Sequence, residues 1–378
     1  MTASPDSEMK VVENLHLVGR RNPDAILQCN TYLRTFIGAS GNPTHWCIDP
    51  GSELDFPDVK QNLISHLGDL AALHLFSLNH QDPDVVGNMR ALVQANDHLA
   101  GIVSEDVWRL VRHLNVTPRK LYFTAKTKSN LFKLPDGQRI QIVPTPFCHF
   151  RGAVAYYDPE SRVLFSGDLF AGLNQPGRVQ LFAEEQDWPG IAQWHQIYMP
   201  SRNAVEFAIR QVLALDPPVE FVAPQHGFVL KGPFMHEVFQ RLAQLPVGMD
   251  LLPLELDERY LNGYRELFNE VTHEAAIEVS RASVLHTLKH LPAEHELSQY
   301  IRTSKSGVEL VTCGIRALPL LIDELSKTQH PAFRTHLKDL VLRRCIELKL
   351  PIPQLGAGVE EFSFNVGTQD LSFAPDTE

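Results

Sequence analysis

Four short apolar runs, Leu73 to Leu78, Ile140 to Val143, Val163 to Gly167 and Phe221 to Pro224, each lead to side chains able to hold a metal. The first opens onto His80-Gln81-Asp82-Pro83-Asp84, the second is followed by His149, the third runs straight into Asp168, and the fourth delivers His226 at a glycine-containing turn. Were the first run to continue as an extended strand, His80, Asp82 and Asp84 would point to one side of it. A single histidine at a strand end is more often a hydrogen-bonded structural residue than a ligand. An ordered set of three histidines and three aspartates is different, because the ends of several strands are where a rigid sheet can hold a shared site.

The donor set itself is informative. Zinc hydrolase sites favour imidazole and sulfur, whereas three carboxylates with three imidazoles form a harder, more anionic set that suits iron or manganese better than zinc. Two divalent cations against three carboxylates leave one positive charge, which a bridging hydroxide would neutralise. One cation alone would leave the site negative.

These positions resemble the metallo-β-lactamase fold, and within it the flavodiiron proteins and related oxygen-binding diiron proteins, whose ligands run His-x-Glu-x-Asp, His, Asp, His. The matching residues are His80, Asp82, Asp84, His149, Asp168 and His226. The turn Asp49-Pro50-Gly51 after Trp46-Cys47-Ile48, the segment Asn30-Thr31-Tyr32 and the Tyr198-Met199-Pro200 stretch ahead of a helix carry the likeness from about residue 10 to 245. The resemblance implies an αββα sandwich and two metal ions, iron first and zinc or manganese as alternatives, with a bridging hydroxide, oxo or O2-derived ligand. It assigns His80, Asp82 and His149 to one metal, Asp84 and His226 to the other, and the bridge to Asp168. Two positions depart from the family pattern: Asp82 stands where the diiron branch has Glu, and Val85 stands where many members have His. The second departure leaves the second metal short of a protein ligand and open to a small molecule.

The division expected is a metallo-β-lactamase-like diiron domain over residues 1–245, a helical domain over 246–350 and a partly ordered tail over 351–378. In the first, helices are predicted at Asp58 to Leu67, Pro83 to Gln94, Ser104 to His113, Ser201 to Leu215 and Pro233 to Leu245, with Ser104 and Ser201 as N-caps and Pro83 in the first turn of its helix. Tyr122 to Pro135 reads as a strand and polar hairpin. Helical spacing recurs over Asp257 to Leu291, Val308 to Leu325 and Pro331 to Leu348. A flavodiiron protein would carry a flavodoxin domain here; no phosphate loop is present in this stretch, so no flavin is expected on this chain. His286 and His290 share a helix face, and with His273 and His295 they read as solvated residues rather than a second metal cluster. His195 is a candidate for lining the diiron pocket, and Cys148 reads as an inert thiol.

The 378-residue chain is 44% hydrophobic, enough for a sizeable core, and its net charge of −11 with no basic cluster argues against nucleic acid. Five cysteines without a CxxC pair suggest neither a disulfide framework nor a rubredoxin-like iron site. With no signal-peptide core and no long apolar stretch, a cytoplasmic protein without a membrane span is expected. The expected activity is binding of O2 or NO at a binuclear non-haem iron site. The chain would act as a sensor or binding protein, or as a reductase fed by a separate redox partner. A homodimer and a redox or signalling protein partner are expected. The alternative is a binuclear hydrolase of thioesters, phosphodiesters or lactones using a metal-bound hydroxide.

Overall fold

The computed structural model describes residues 9–251 and 260–355, apart from residues 176, 306 and 349. Two sheets face each other. The first has seven strands in simple sequence order: β1 (Lys10–Val12), β2 (Leu15–Leu17), β3 (Tyr32–Ile37), β4 (Pro43–Ile48), β5 (Leu75–Ser77), β6 (Ala100–Val103) and β7 (Lys120–Phe123). The second comprises β8 (Leu131–Lys133), β9 (Arg139–Pro144), β10 (Val154–Asp158), β11 (Val163–Gly167), β12 (Phe221–Pro224) and β13 (Leu230–Lys231), in the order β13-β12-β11-β10-β9-β8. β4 to β7 are parallel neighbours joined through helices, and β11 pairs in parallel with β12. The C-terminal ends of β5, β11 and β12 therefore lie where crossover loops begin.

Between the sheets lies a core rich in aromatics, with Tyr32, Phe36, Trp46, Tyr156 and Phe165 at its centre. Their polar atoms are used: Tyr32 Oη donates to the Pro224 carbonyl at 2.9 Å, Tyr156 Oη to that of Leu78 at 3.0 Å, and Trp46 Nε1 to Ser77 Oγ at 3.0 Å. Two of these bonds cross from one sheet to the other beside the ligand-bearing strand ends. Helices cover both outer faces: Phe56–Leu67, Pro83–Val86, Met89–Ala95 and Glu105–Val111 on the first sheet, and Trp188–Tyr198, Arg202–Leu213 and Gly232–Gln244 on the second. The expected αββα sandwich is the architecture found. Ser104 Oγ accepts from Val107 N and Ser201 Oγ from Ala204 N, as their N-cap positions require.

The predicted helix Pro83 to Gln94 is broken after Val86, where the Gly51 loop packs against Gly87. A Cβ there would lie 2.7 Å from Glu53 N, and Asn88 Nδ2 donates to the Pro50 carbonyl at 2.8 Å. Tyr122 to Pro135 is not one local unit: its first part completes the first sheet as β7, and its last part enters the second as β8, whose hairpin partner is β9. After residue 260 the chain forms helices Leu261–Val279 and Arg281–Lys289, separated at Ser280 (φ 85°), whose side chain caps the second. Val308 to Leu325 is only partly helical. Val308–Leu310 pairs with Ile301–Thr303 as a small hairpin, and the helix runs Gly314–Ser326 because Cys313 (φ 45°) interrupts the extended segment. Helix Pro331–Glu347 follows. Of the expected tail, residues 351–355 dock, with Ile352 and Leu355 buried and the Pro351 carbonyl accepting from Tyr264 Oη at 2.7 Å; residues 356–378 lie outside the described residues. The apolar faces of these helices join one continuous core with the helices covering the second sheet.

Candidate metal centre

All six predicted residues meet at one edge of the sandwich, but not by the pleating that the sequence suggests. β5 ends at Ser77, and His80 sits in a bend. Pro83 then starts a short helix, with Asp82 preceding it and Asp84 in its first turn. The restricted φ of proline suits a helix start, so Asp82 and Asp84 converge through a turn and a helix terminus rather than along one face of a strand. Asp168 follows Gly167, whose φ of 60° suits glycine and whose missing Cβ leaves room for the Asn79 side chain.

The closest donor pairs form two groups that share Asp168, and His80, Asp82 and Asp84 also converge within 4.8 Å of one another between them. On one side, His149 Nε2 is 3.0 Å from Asp82 Oδ2 and 3.1 Å from Asp168 Oδ2, and His80 Nε2 is 3.6 Å from each of these oxygens. On the other, His226 Nε2 is 3.1 Å from Asp84 Oδ2 and 3.7 Å from Asp168 Oδ1. Donors each about 2.1 Å from one cation stand roughly 3 to 3.5 Å from one another, so both groups have the spacing of a coordination sphere. The two oxygens of Asp168 thus face different groups, as a bridging carboxylate does. His80, Asp168 and His226 form a buried floor, and Asp82, Asp84 and His149 are partly exposed at the mouth, the side from which a small ligand could enter.

The cradle fits cations. Asp168 Oδ1 is buried with no hydrogen-bond partner among the described residues, and a buried carboxylate oxygen without a donor is costly unless positive charge lies beside it. Asp82 reaches the first group despite being one methylene shorter than Glu. Val85 is fully buried and packs into the core beneath the outer helices, so it contributes nothing to the second group.

Several contacts aim the ligands. His226 Nδ1 donates to the Gln28 carbonyl at 2.9 Å, which presents Nε2 to the site. Trp194 Nε1 donates to the Asp168 carbonyl at 3.0 Å, and its ring lies 4.5 Å from that of His226. Asp49 Oδ1 accepts from Asn79 N at 2.9 Å, tying the Asp-Pro-Gly turn to the loop before His80. His195 does not line the pocket: its Nδ1 bonds the Ile191 carbonyl at 2.7 Å and its Nε2 accepts from Phe170 N at 3.0 Å, so it braces the loop after Asp168. Cys148 is buried, and burial pushes its thiol up to about 12, as an inert residue requires. His286 and His290 belong to no convergent ligand group among the described residues. Cys29 also stands beside the site, its thiol within 4.8 Å of donor atoms of Asp84 and His226; in the sequence only its adjacency to Asn30 signals this.

Charge coupling is strong. Burial works against a charged His149, but hydrogen bonds to Asp168 and Asp82 outweigh it and push the imidazole up to about 10. His226 is also raised, chiefly by Asp84, against its burial. Burial alone would raise Asp168, yet His80, His149 and His226 hold it at about 2. The metal-free site therefore keeps protons on imidazoles that a metal needs neutral. Loading is expected to release protons and to tighten about tenfold per pH unit for each proton displaced, below pH 10. Titration calorimetry in buffers of different ionisation enthalpy measures the release; metal affinity independent of pH between 6 and 8 would contradict it.

This is a metallo-β-lactamase-like sandwich with a cradle for two metals at the ends of its strands. The family model described as "ODP family beta lactamase" matches residues 27–227, just over half of the chain, and the chain belongs to that family. Among curated proteins it is 26% identical over 232 residues to an anaerobic nitric oxide reductase flavorubredoxin of Aeromonas salmonicida, and 27% identical over 232 residues to one of Enterobacter sp.. These alignments cover 58% of this chain but only 43% and 47% of those relatives, so the chain spans under half of their length. Among solved structures, the chemotaxis sensor ODP, solved as a peroxy diiron species, superposes with a TM-score of 0.53 at 24% identity over 65% of this chain and 97% of that one. The rubredoxin oxygen:oxidoreductase of Desulfovibrio gigas superposes with a TM-score of 0.55 at 13% identity, over 71% and 69%. At these identities the superpositions establish the fold. No helix among the described residues is long and apolar enough to cross a membrane.

Proposed function

We propose that this chain is a non-haem diiron protein that binds O2 or NO and reports or stores the binding event. The observation that carries this reading is the Asp168 carboxylate, one oxygen facing His80, His149 and Asp82 and the other facing His226 and Asp84. A hard set of three carboxylates and three imidazoles supports iron, as do the diiron and nitric oxide reductase names carried by its neighbours and relatives. Two ferrous ions held there would supply electrons and open coordination positions for a diatomic ligand. His80, Asp82 and His149 would hold the first, Asp84 and His226 the second, with Asp168 shared. The hydrolase alternative is not favoured: where hydrolases of this fold place a histidine, Val85 is buried in the core.

The same reading divides the chain at residue 245 into a diiron domain and a helical output segment, with 351–378 as a tail. Helix Trp188–Tyr198, which carries Trp194 against Asp168 and His226, also packs against helix Pro331–Glu347. Between its Tyr198 end and helix Gly314–Ser326 lies a cavity of about 610 Å³. These contacts support a sensor, in which ligand state at the metals biases the helices and through them a partner protein or a second copy of the chain, in the cytoplasm. A reductase role would need an electron donor in addition to the two metals.

The test is anaerobic loading with ferrous iron, metal analysis, and optical spectra on adding O2 or NO. Two irons per chain and a new ligand-to-metal absorption are expected. Two tightly held zincs with turnover of an ester or phosphodiester would refute the proposal.

A further inference from the structure

We propose that Cys29 is the missing protein ligand of the second metal position, its sulfur standing in for the imidazole that Val85 does not provide. This rests on the binuclear reading above and adds a seventh donor to it. Backbone geometry places the residue independently of its side chain. Cys29 and His226 form an isolated antiparallel bridge, flanked by the hydrogen bond from Asn30 N to the Gln225 carbonyl at 2.6 Å. Residues paired in this way project their side chains to the same side, so the fold that aims His226 into the site aims Cys29 there too. Gln28 closes the arrangement by accepting from His226 Nδ1.

The side-chain atoms agree. The Cys29 thiol, a carboxylate oxygen of Asp84 and a ring nitrogen of His226 all lie within 4.8 Å of one another. The buried Asp168 Oδ1, which has no hydrogen-bond partner among the described residues, lies 3.7 Å from His226 Nε2 and just outside that trio. Sulfur, nitrogen and one carboxylate oxygen converge as a three-donor set, to which the shared Asp168 would add a fourth on metal binding. On binding, the S–H bond breaks, the metal–sulfur bond forms and the proton leaves to solvent, since a coordinating thiol is held as the thiolate. A thiolate makes the second position softer and more electron-rich than the first, so the two metals differ. Cys148, buried beside His149, belongs to none of the convergent donor groups and serves as the control.

Cobalt(II) in place of iron gives an optical readout separate from any activity. The loaded protein is expected to show a near-ultraviolet thiolate-to-cobalt charge-transfer band, lost in Cys29→Ser and kept in Cys148→Ser. X-ray absorption at the metal edge is expected to show one sulfur neighbour shared over two metals, absent in Cys29→Ser. Cys29→Ser keeps a small polar side chain, and circular dichroism of the variant checks that it folds; should it not, the sulfur shell of the unmodified protein decides alone. Two bound metals without a sulfur neighbour would overturn the Cys29 ligand while leaving the diiron reading intact. A chain that binds no metal would overturn both.

Discussion

Replacing Asp168 with alanine is expected to empty both metal positions at once. Losing even a residue that only orients a ligand costs 10- to 100-fold in metal affinity, so removal of a carboxylate shared by both sites is expected to cost at least about 100-fold at each. Asp82→Ala and Asp84→Ala, whose carboxylates lie nearest His149 and His226 respectively, are expected to weaken one position far more than the other. Metal content after dialysis against a weak chelator measures all three. The bridging assignment is lost if Asp168→Ala keeps two metals or sheds only one. The variant also separates fold from function. In the metal-free protein Asp168 is the counter-charge for three imidazoles, and its carboxyl is held at about 2 against burial. A depressed carboxylate contributes stability above its unfolded pKa of about 3.9, lost as pH falls toward 2. The unmodified apoprotein is therefore expected to be the more stable of the two at pH 5, and the difference is expected to shrink under strong acid.

The second large effect lies away from the metals. Arg34 on β3 and Asp158 on β10 form a buried pair that ties one sheet to the other, with Nε 2.8 Å from Oδ2. Arg34 Nη1 also donates to the Thr35 carbonyl at 3.1 Å, and Asp158 accepts from Ser161 Oγ at 2.5 Å and Glu160 N at 3.0 Å. Arg34→Ala leaves the buried carboxylate without its counter-charge, and is expected to cost about 3 to 5 kcal/mol. Exchanging both residues for apolar ones of similar volume, as in Arg34→Met with Asp158→Leu, is expected to recover most of that loss, because the desolvation of both charges disappears together. Urea midpoints of the two variants make the comparison. A single variant as stable as the unmodified chain would show that the pair does not hold the sheets together.

Much of the site was legible because its ligands are polar residues placed directly after apolar runs. Strands buried on both faces read as unbroken hydrophobic stretches, so His80, Asp168 and His226 stand out where those stretches stop. The caps at Ser104 and Ser201 were legible for a similar local reason: a side-chain oxygen satisfies free amide groups two or three residues away. Local signals failed where a distant segment decided the outcome. A good helical pattern is interrupted at Gly87 and Asn88 because Asn88 N donates to the Gly51 carbonyl at 2.9 Å and the Val85 carbonyl accepts from Gly51 N at 2.9 Å. Val308 to Leu310 leave a helical pattern because Ile301 to Thr303 offer them a partner strand. His195 was a pocket candidate because the family resemblance sets its segment near the site, yet its ring is consumed by the backbone at Ile191 and Phe170.

By itself the sequence determined six oxygen and nitrogen donors and their order, which follow from residue type and from where the apolar runs stop, while the αββα frame came from the family resemblance that those residues carry. Only the tertiary structure decided how the donors divide: that Asp168 turns its two oxygens to different groups, that Val85 faces the core, and that Cys29, 197 residues from His226 in the chain, pairs beside it. The reason is physical. Donor identity is a property of single residues, whereas a coordination sphere is a set of distances between segments that only sheet pairing and loop packing bring together.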